Sequence, residues 1–257
     1  MIRMLSNLEG GRILFTELVK LRRSKMSVLL LGPPMLVVLL VVGVSLQRQN
    51  LADWDATGII QLRLTVNAVW CYFMLPLVTA LMAAIVFSYE HRNQTWGFMR
   101  VMPVSMGKVY LCKLALVWSA AMLATIMLYS FLALAIHAIS SSGSLHVRVD
   151  YSYFIFNLCI LSGASIPFVA LQSFAALSFR SIIVPLVISI LATLLVAPIG
   201  STRFWPYFPW SYPLVALNAS SEVVRAHALI CGLLLGTIVV AGGFVCVQKC
   251  LLKSIES

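Results

Sequence analysis

Long apolar runs separated by short polar breaks organise the chain from residue 27 to residue 247. About twenty consecutive apolar residues cross the hydrocarbon core of a bilayer as a helix. The pattern predicts six such helices: Ser27–Leu46, Leu64–Phe87, Leu114–Ile136, Tyr153–Leu177, Ile182–Ile199 and Ala226–Val247. Only Ser178, Phe179, Arg180 and Ser181 part the fourth from the fifth. One helix through both would far exceed a bilayer, so Arg180 marks a tight turn. Pro76, Pro167 and Pro185 lie inside the second, fourth and fifth runs. Each removes a backbone hydrogen bond and predicts a kink.

Three segments outside these runs are patterned differently. In residues 4–24, Leu8, Leu14, Phe15, Leu18, Val19 and Leu21 share one broad helical face. Glu9, Arg12, Thr16, Glu17, Lys20 and Arg23 fall mostly on the other, with Ile13 the exception, which predicts an amphipathic helix lying at a membrane interface. Residues 89–113 form a loop in which Thr95, Phe98 and Met102 share one helix face with Trp96 and Met99 beside it, Arg92 and Arg100 flank them, and Pro103 ends the short helix. So short a helix with exposed aromatic residues is not stable alone in water and must rest on a membrane or in a groove of another protein. Residues 200–225 hold the stretch RFWPYFPWSYP, from Arg203 to Pro213, with six aromatic residues and three prolines. Its rings suit the headgroup zone and its prolines forbid a through-going helix, which predicts a re-entrant or interfacial excursion.

Composition agrees with the pattern. Of 257 residues, 61% are hydrophobic and only 10% charged. A soluble domain carries about 25% charged residues, so this chain cannot cover itself with polar surface. The net charge of +10 would suggest nucleic acid in a soluble protein, but here its placement speaks for a membrane instead. Thirteen Lys and Arg fall on the side of the two termini, the 89–113 loop and Arg180. Five (Arg48, Arg63, Arg148, Arg203 and Arg225) fall on the other. The positive-inside rule then places both termini in the cytoplasm. The N-terminal stretch lacks a signal-peptide pattern and predicts a retained anchor. Six cysteines without a CxxC pair read as small buried apolar residues.

No Asp, Glu, Lys, Arg or His lies deep inside a predicted span, which argues against a proton-coupled carrier. Asn67, Asn157, Ser162, Ser165, Gln172 and Ser173 are the mild polar residues there. They read as interhelical hydrogen bonding or as a weakly polar substrate surface. Asn67, Asn157 and Gln172, with Trp205 and Trp210 of the aromatic stretch, are the candidate substrate-path residues. No HExxH, GxSxG or P-loop is present, so the chain predicts neither an active site, nor a metal or cofactor site, nor nucleotide binding of its own.

Taken together, these features resemble the permease subunit of ABC-2 type exporters. The resemblance is most specific in the 89–113 loop, through Glu90, Thr95, Trp96, Pro103, Ser105, Tyr110 and Lys113; Gln94 stands where such permeases usually have Gly. It implies an all-α polytopic membrane protein, one permease domain over residues 1–257, with six transmembrane helices and both termini cytoplasmic. It further implies an N-terminal elbow helix at 4–24, a cytoplasmic coupling helix within 89–113 and an outer re-entrant segment at 200–225. Glu90, Arg92, Thr95, Trp96, Phe98, Met99, Arg100 and Pro103 would then couple the chain to ATPase subunits that use ATP and Mg, while this chain binds no cofactor. The implied partners are those ATPases, a second permease, identical or related, and the lipid of a bacterial cytoplasmic membrane. The short length and the stretch Pro209–Pro213 are similar to permeases of lantibiotic or bacitracin self-protection systems, which implies an antimicrobial-peptide cargo. A drug, lipid-linked sugar, haem or metal-related cargo is the alternative, and an ATPase-independent transporter is the rival class.

Overall fold

The computed structural model describes residues 26–48, 55–92, 105–142, 149–179, 181–200, 202–219 and 221–253. All regular structure among them is helical. Helix α1 spans Met26–Arg48 and α2 spans Ala56–Val69. A π-helical turn at Trp70–Met74 joins α2 directly to α3, Leu75–Arg92. The remaining helices are α4 (Met106–Ser142), α5 (Tyr151–Ala164), α6 (Ile166–Ser178) and α7 (Ile183–Gly200). Two 3-10 turns (Trp205–Tyr207 and Pro209–Ser211) and the short α8 (Tyr212–Leu217) lead to α9, Glu222–Lys253. The 4–24 helix, the 93–104 part of the loop and Arg180 lie outside the described residues.

Four helical stretches are long and apolar enough to cross a membrane, and the bent pair α5–α6 makes a fifth. Helix α7 is apolar but shorter, at 18 residues. The predicted runs lie inside these helices or across the α5–α6 bend, save that the fifth begins at Ile182, one residue before α7. Helix α4 has 37 residues, about 56 Å at the helical rise and well beyond the hydrocarbon thickness. Its polar ends continue the helix because nothing in their sequence breaks it.

The prolines act as their positions in the hydrogen-bond ladder require. Pro76 cannot donate to the carbonyl four residues back, and the backbone just before it widens: the Leu75 N–H reaches the Trp70 carbonyl in π register. Pro167 likewise leaves the Gly163 carbonyl without its helical donor, and the axis bends by 49° between α5 and α6. Pro185 does not kink its helix as predicted. It sits in the first turn of α7, where an N–H would have no helical acceptor anyway. Pro33 and Pro34 lie within α1, which continues through them.

Helix α3 is central and packs on α4, α6, α7 and, less extensively, α1. Helix α1 leans on α4, and α9 crosses α6, α4 and α5. The short α8 wedges between α5 and α9 and reaches the π turn. The outer faces are apolar: Leu39, Leu40, Ile183, Leu194, Leu234 and Ile238 are all more than half exposed. The polar Asn67, Thr79, Thr125, Asn157, Gln172 and Ser173 are buried. An apolar exterior over a mildly polar interior is stable in lipid and would aggregate in water. Not all cysteines are buried as predicted. Cys71 is, but Cys159 and Cys246 are exposed on the outer faces, where an apolar solvent accepts a thiol as readily as a core does.

Asp55 and Asp150 cap the helices that start at one end of the bundle. Asp55 accepts from the Thr57 hydroxyl and the Gly58 N–H at 2.8 Å, and Asp150 from the Ser152 hydroxyl at 2.6 Å and the Tyr153 N–H at 3.2 Å. The hydroxyl first and the backbone N–H second hold each carboxyl below its ordinary value, and Arg63 adds to the effect at Asp150. A carboxyl lowered by folding stabilises the fold above its unfolded value of 3.8, and that contribution is lost as pH falls through the folded value. Asp55→Asn with Asp150→Asn keeps both caps and removes the titration. The double variant is therefore expected to lose less thermal stability than wild type between pH 6 and pH 3, and equal losses in a detergent melting series would refute the caps as its source.

Candidate functional site

Two helices interrupted near their middles lie side by side in the bundle, α2–α3 with its π turn and α5–α6 with its bend. One hydrogen bond ties them on each side of the interruptions. Toward the Asp150 end, Asn67 Nδ2 donates to the Tyr153 hydroxyl at 2.9 Å. Toward the other end, the Thr79 hydroxyl lies 2.8 Å from both the Pro76 carbonyl and Gln172 Oε1, and donates to one at a time. The interruptions themselves are braced by tryptophans. Trp70 Nε1 donates to Thr125 Oγ1 at 3.1 Å, and Trp118 Nε1 to the Ser162 carbonyl at 3.1 Å. Such side-chain donors are how a broken helix is tolerated at membrane depth.

The Asp150 end carries the more polar cluster. The Arg63 guanidinium stands 5.3 Å over the Tyr153 ring and 5.8 Å over Phe154. Phe154 in turn stacks on Tyr129 at 5.2 Å, and Asn157 faces the Tyr129 hydroxyl. The aromatic stretch closes this end. The Ser211 hydroxyl lies 3.0 Å from the Trp205 carbonyl and 2.7 Å from the Phe208 carbonyl and donates to one at a time, and the Tyr212 hydroxyl donates to the Pro206 carbonyl. Trp205 meets Tyr212 and His227 edge-on, while Trp210 is buried against Phe208 at 5.6 Å. Arg225 holds the start of α9 to the Ala216 carbonyl, to Glu222 and to the Phe156 ring.

The five candidate substrate-path residues thus fall in two places. Asn67, Asn157 and Gln172 line the helix contacts, and Trp205 and Trp210 belong to the segment packed over one end. Among the described residues, Asn67 Oδ1, Asn157 Nδ2, Gln172 Nε2 and Trp210 Nε1 are buried without a hydrogen-bond partner. Unspent hydrogen-bonding capacity is costly in a core and is unusual there.

At the opposite end, α3 and α4 form the two stems of the 93–104 loop. Glu90 and Arg92 belong to the last turns of α3, though their side chains are not described; Thr95, Trp96, Phe98, Met99, Arg100 and Pro103 lie outside the described residues. Ser105 opens α4, its carbonyl accepting from the N–H groups of Lys108 and Val109. Tyr110 and Lys113, polar residues of the loop pattern, turn inward and are buried, at 1% and 0% exposure. The burial of Lys113 was not predicted.

Residues 13–196 match the family model described as ABC-2 family transporter protein. The chain belongs to the ABC-2 transporter family. The match covers α1 to α6 and most of α7, and so includes both interrupted helices and both loop stems. The permease is a multi-pass membrane subunit without catalytic activity of its own. No curated protein and no solved structure matches it. The aromatic segment from Trp205 and helix α9 lie beyond the family match.

Sequence reasoning missed three features of the site. One is the burial of Lys113. Another is the bracing of the interruptions by Trp70 and Trp118. The third is the crossing of α9 over the α5–α6 bend through Gly232 and Gly236, for which the spacing GxxxG in an apolar run was the available signal.

Proposed function

We propose that the chain is one permease half of an ABC exporter that pairs with a second permease and is driven by separate cytoplasmic ATPase subunits. The observation that carries this reading is the family match over both stems of the 93–104 loop, α3 and α4, which project past the apolar spans. Six spans follow if α5–α6 counts as one and the 18-residue α7, about 27 Å long, counts as another. Both termini are then cytoplasmic, with the 4–24 helix along the inner interface and the 200–225 segment outside. The charge bias of thirteen against five supports this orientation.

ATP-driven closure of the ATPase pair pushes on the coupling residues Glu90, Arg92, Thr95, Trp96, Phe98, Met99, Arg100 and Pro103. The push rocks the two interrupted helices against each other. Asn67, Asn157, Gln172, Trp205 and Trp210 then face the path, and the unspent hydrogen-bonding capacity of Asn67, Asn157, Gln172 and Trp210 meets the cargo. A mildly polar path suits an amphipathic cargo, and an antimicrobial peptide of the lantibiotic class is the proposed one.

Tagged purification from native membranes in mild detergent tests the assembly. A stoichiometric Walker-motif ATPase is expected in the preparation, with or without a second, different permease. Recovery of the chain alone, in a detergent that preserves known complexes, would refute it. Replacing both Trp96 and Phe98 by Ala is expected to leave the ATPase hydrolysing ATP without export, and wild-type export would overturn the coupling role.

A further inference from the structure

A lysine at the edge of a membrane span ordinarily extends its chain to carry the ammonium into the headgroup water. Lys113 stands one residue before the apolar run that starts at Leu114, yet its side chain is wholly enclosed by protein. Burying a cation costs several kcal/mol unless partners hold it, and an uncharged residue of the same length would fill the space at no such cost. Its partners include the Val86 carbonyl, 3.1 Å from Nζ, and the Phe87 ring, 5.7 Å away.

Both of these belong to α3, whereas Lys113 belongs to α4. The ammonium therefore joins the two stems of the 93–104 loop. One turn earlier, Tyr110 packs on the same Phe87 ring at 6.3 Å. Its hydroxyl also occupies the place of a side chain at Gly243, where a Cβ would stand 2.5 Å from it. Gly107 meets the Phe244 ring in the same manner. Lys113 thus holds the stems to each other, and the α4 stem is seated on α9 through close contacts at Gly107 and Gly243.

We propose that Lys113 is a positioning residue that keeps α3 and α4 moving as one body when force reaches the 93–104 loop. The proposal rests on the ATPase-driven reading above. Apolar contacts alone let two helices slide over each other in lipid, where no hydrophobic effect drives their association. A charge-assisted bond to a main-chain carbonyl fixes their register.

Spin labels at Ser88→Cys and Ser105→Cys, in a background with the native cysteines replaced, report the distance between the stems in the purified complex with its ATPase. A second pair, at Ser105 and Phe179, reports movement of the stem against the turn between α6 and α7. In wild type, ATP with vanadate is expected to shift the second distance and leave the first unchanged. In Lys113→Met the first distance is expected to shift or broaden by about one helical turn, about 5 Å, on adding nucleotide. Lys113→Arg restores the wild-type behaviour. A lysine that served only stability would lower the yield of complex without making the stem distance depend on nucleotide. If Lys113→Met does not accumulate, Lys113→Gln, a shorter N–H donor, carries the comparison. A stem distance indifferent to nucleotide in the variant, with the second pair moving, overturns the proposal alone. A second pair that does not move in wild type overturns the ATPase-driven reading and the proposal with it.

Discussion

Replacing Gly236 by leucine is expected to abolish accumulation of the folded permease, while Gly242→Leu in the same helix is expected to be silent. A Cβ at Gly236 would lie 2.7 Å from Cγ2 and 3.1 Å from Cβ of Ile166, and 3.4 Å from the Pro167 nitrogen. Ile166 is β-branched and stiff about its first torsion, and it opens α6 at the bend, so it cannot swing aside. Gly232, one turn away, is close as well: its Cβ would stand 3.3 Å from the Ala164 Cα. Helix α9 therefore crosses the α5–α6 bend almost backbone to backbone. In a bilayer such close packing is the main force between helices, because lipid tails are as apolar as leucine. A single methyl at Gly236 is expected to cost about 1–3 kcal/mol, the usual range for overpacking. Leucine would have to push the helices apart. Gly242 has open space around it and supplies the control. The yield of folded chain in detergent compares the two leucine variants, and thermal unfolding measures Gly236→Ala, where Ile166→Ala is expected to restore part of the lost stability. Equal yields of the two leucine variants would refute this account of the crossing.

The helices were largely legible because the bilayer makes hydropathy nearly sufficient. Every apolar run from Ser27 to Val247 lies within a helical stretch or, at Tyr153–Leu177, within the bent pair, save that the fifth begins at Ile182, one residue before α7. What hydropathy could not place is where a helix stops once it leaves lipid, since α4 and α9 continue through polar residues that suit water and helix alike. Proline alone was equally incomplete as a signal. Pro76 and Pro167 interrupt helices because an N–H is needed where they stand, and Pro185 does not because none is needed in a first turn.

The candidate site was legible by direction and not by partner. Asn67, Asn157 and Gln172 turn inward, as polar groups in lipid must. Their partners lie far along the chain, with Asn67 and Tyr153 separated by 86 positions and Thr79 and Gln172 by 93. No local periodicity encodes such pairs. Lys113 shows the limit most clearly. From sequence it is one of several lysines near a span end, with headgroup water within reach. Only the face that α4 presents to α3, set by Tyr110, Phe87 and Gly243 together, turns it inward.

The same tertiary fit decides what Trp70 does, and its removal is the second large effect. Trp70 is fully buried in the π turn, and its indole donates to Thr125, whose hydroxyl donates on to the Ala121 carbonyl. Truncation to alanine empties a cavity at the centre of the bundle, with an expected cost of about 3–5 kcal/mol. That figure rests on lost contacts rather than on transfer from water, since the unfolded reference in a membrane is itself apolar. The hydrogen bond is the smaller part, about 0.6 kcal/mol on average for such bonds in a membrane protein. Trp70→Phe, which fills most of the space, is therefore expected to cost far less than Trp70→Ala. Thr125→Val leaves the indole N–H buried and unpaired, and belongs with the milder variant. Melting temperatures of the three variants order these terms. A phenylalanine variant as unstable as the alanine one would show that the bond, and not the packing, holds the interrupted helix. The magnitudes favour packing, and packing at this position also sets how far α2 can tilt against α3. If the interrupted helices rock as proposed, a loss of export in Trp70→Ala beyond its loss of folded protein is expected as well, because the turn it fills would be the joint.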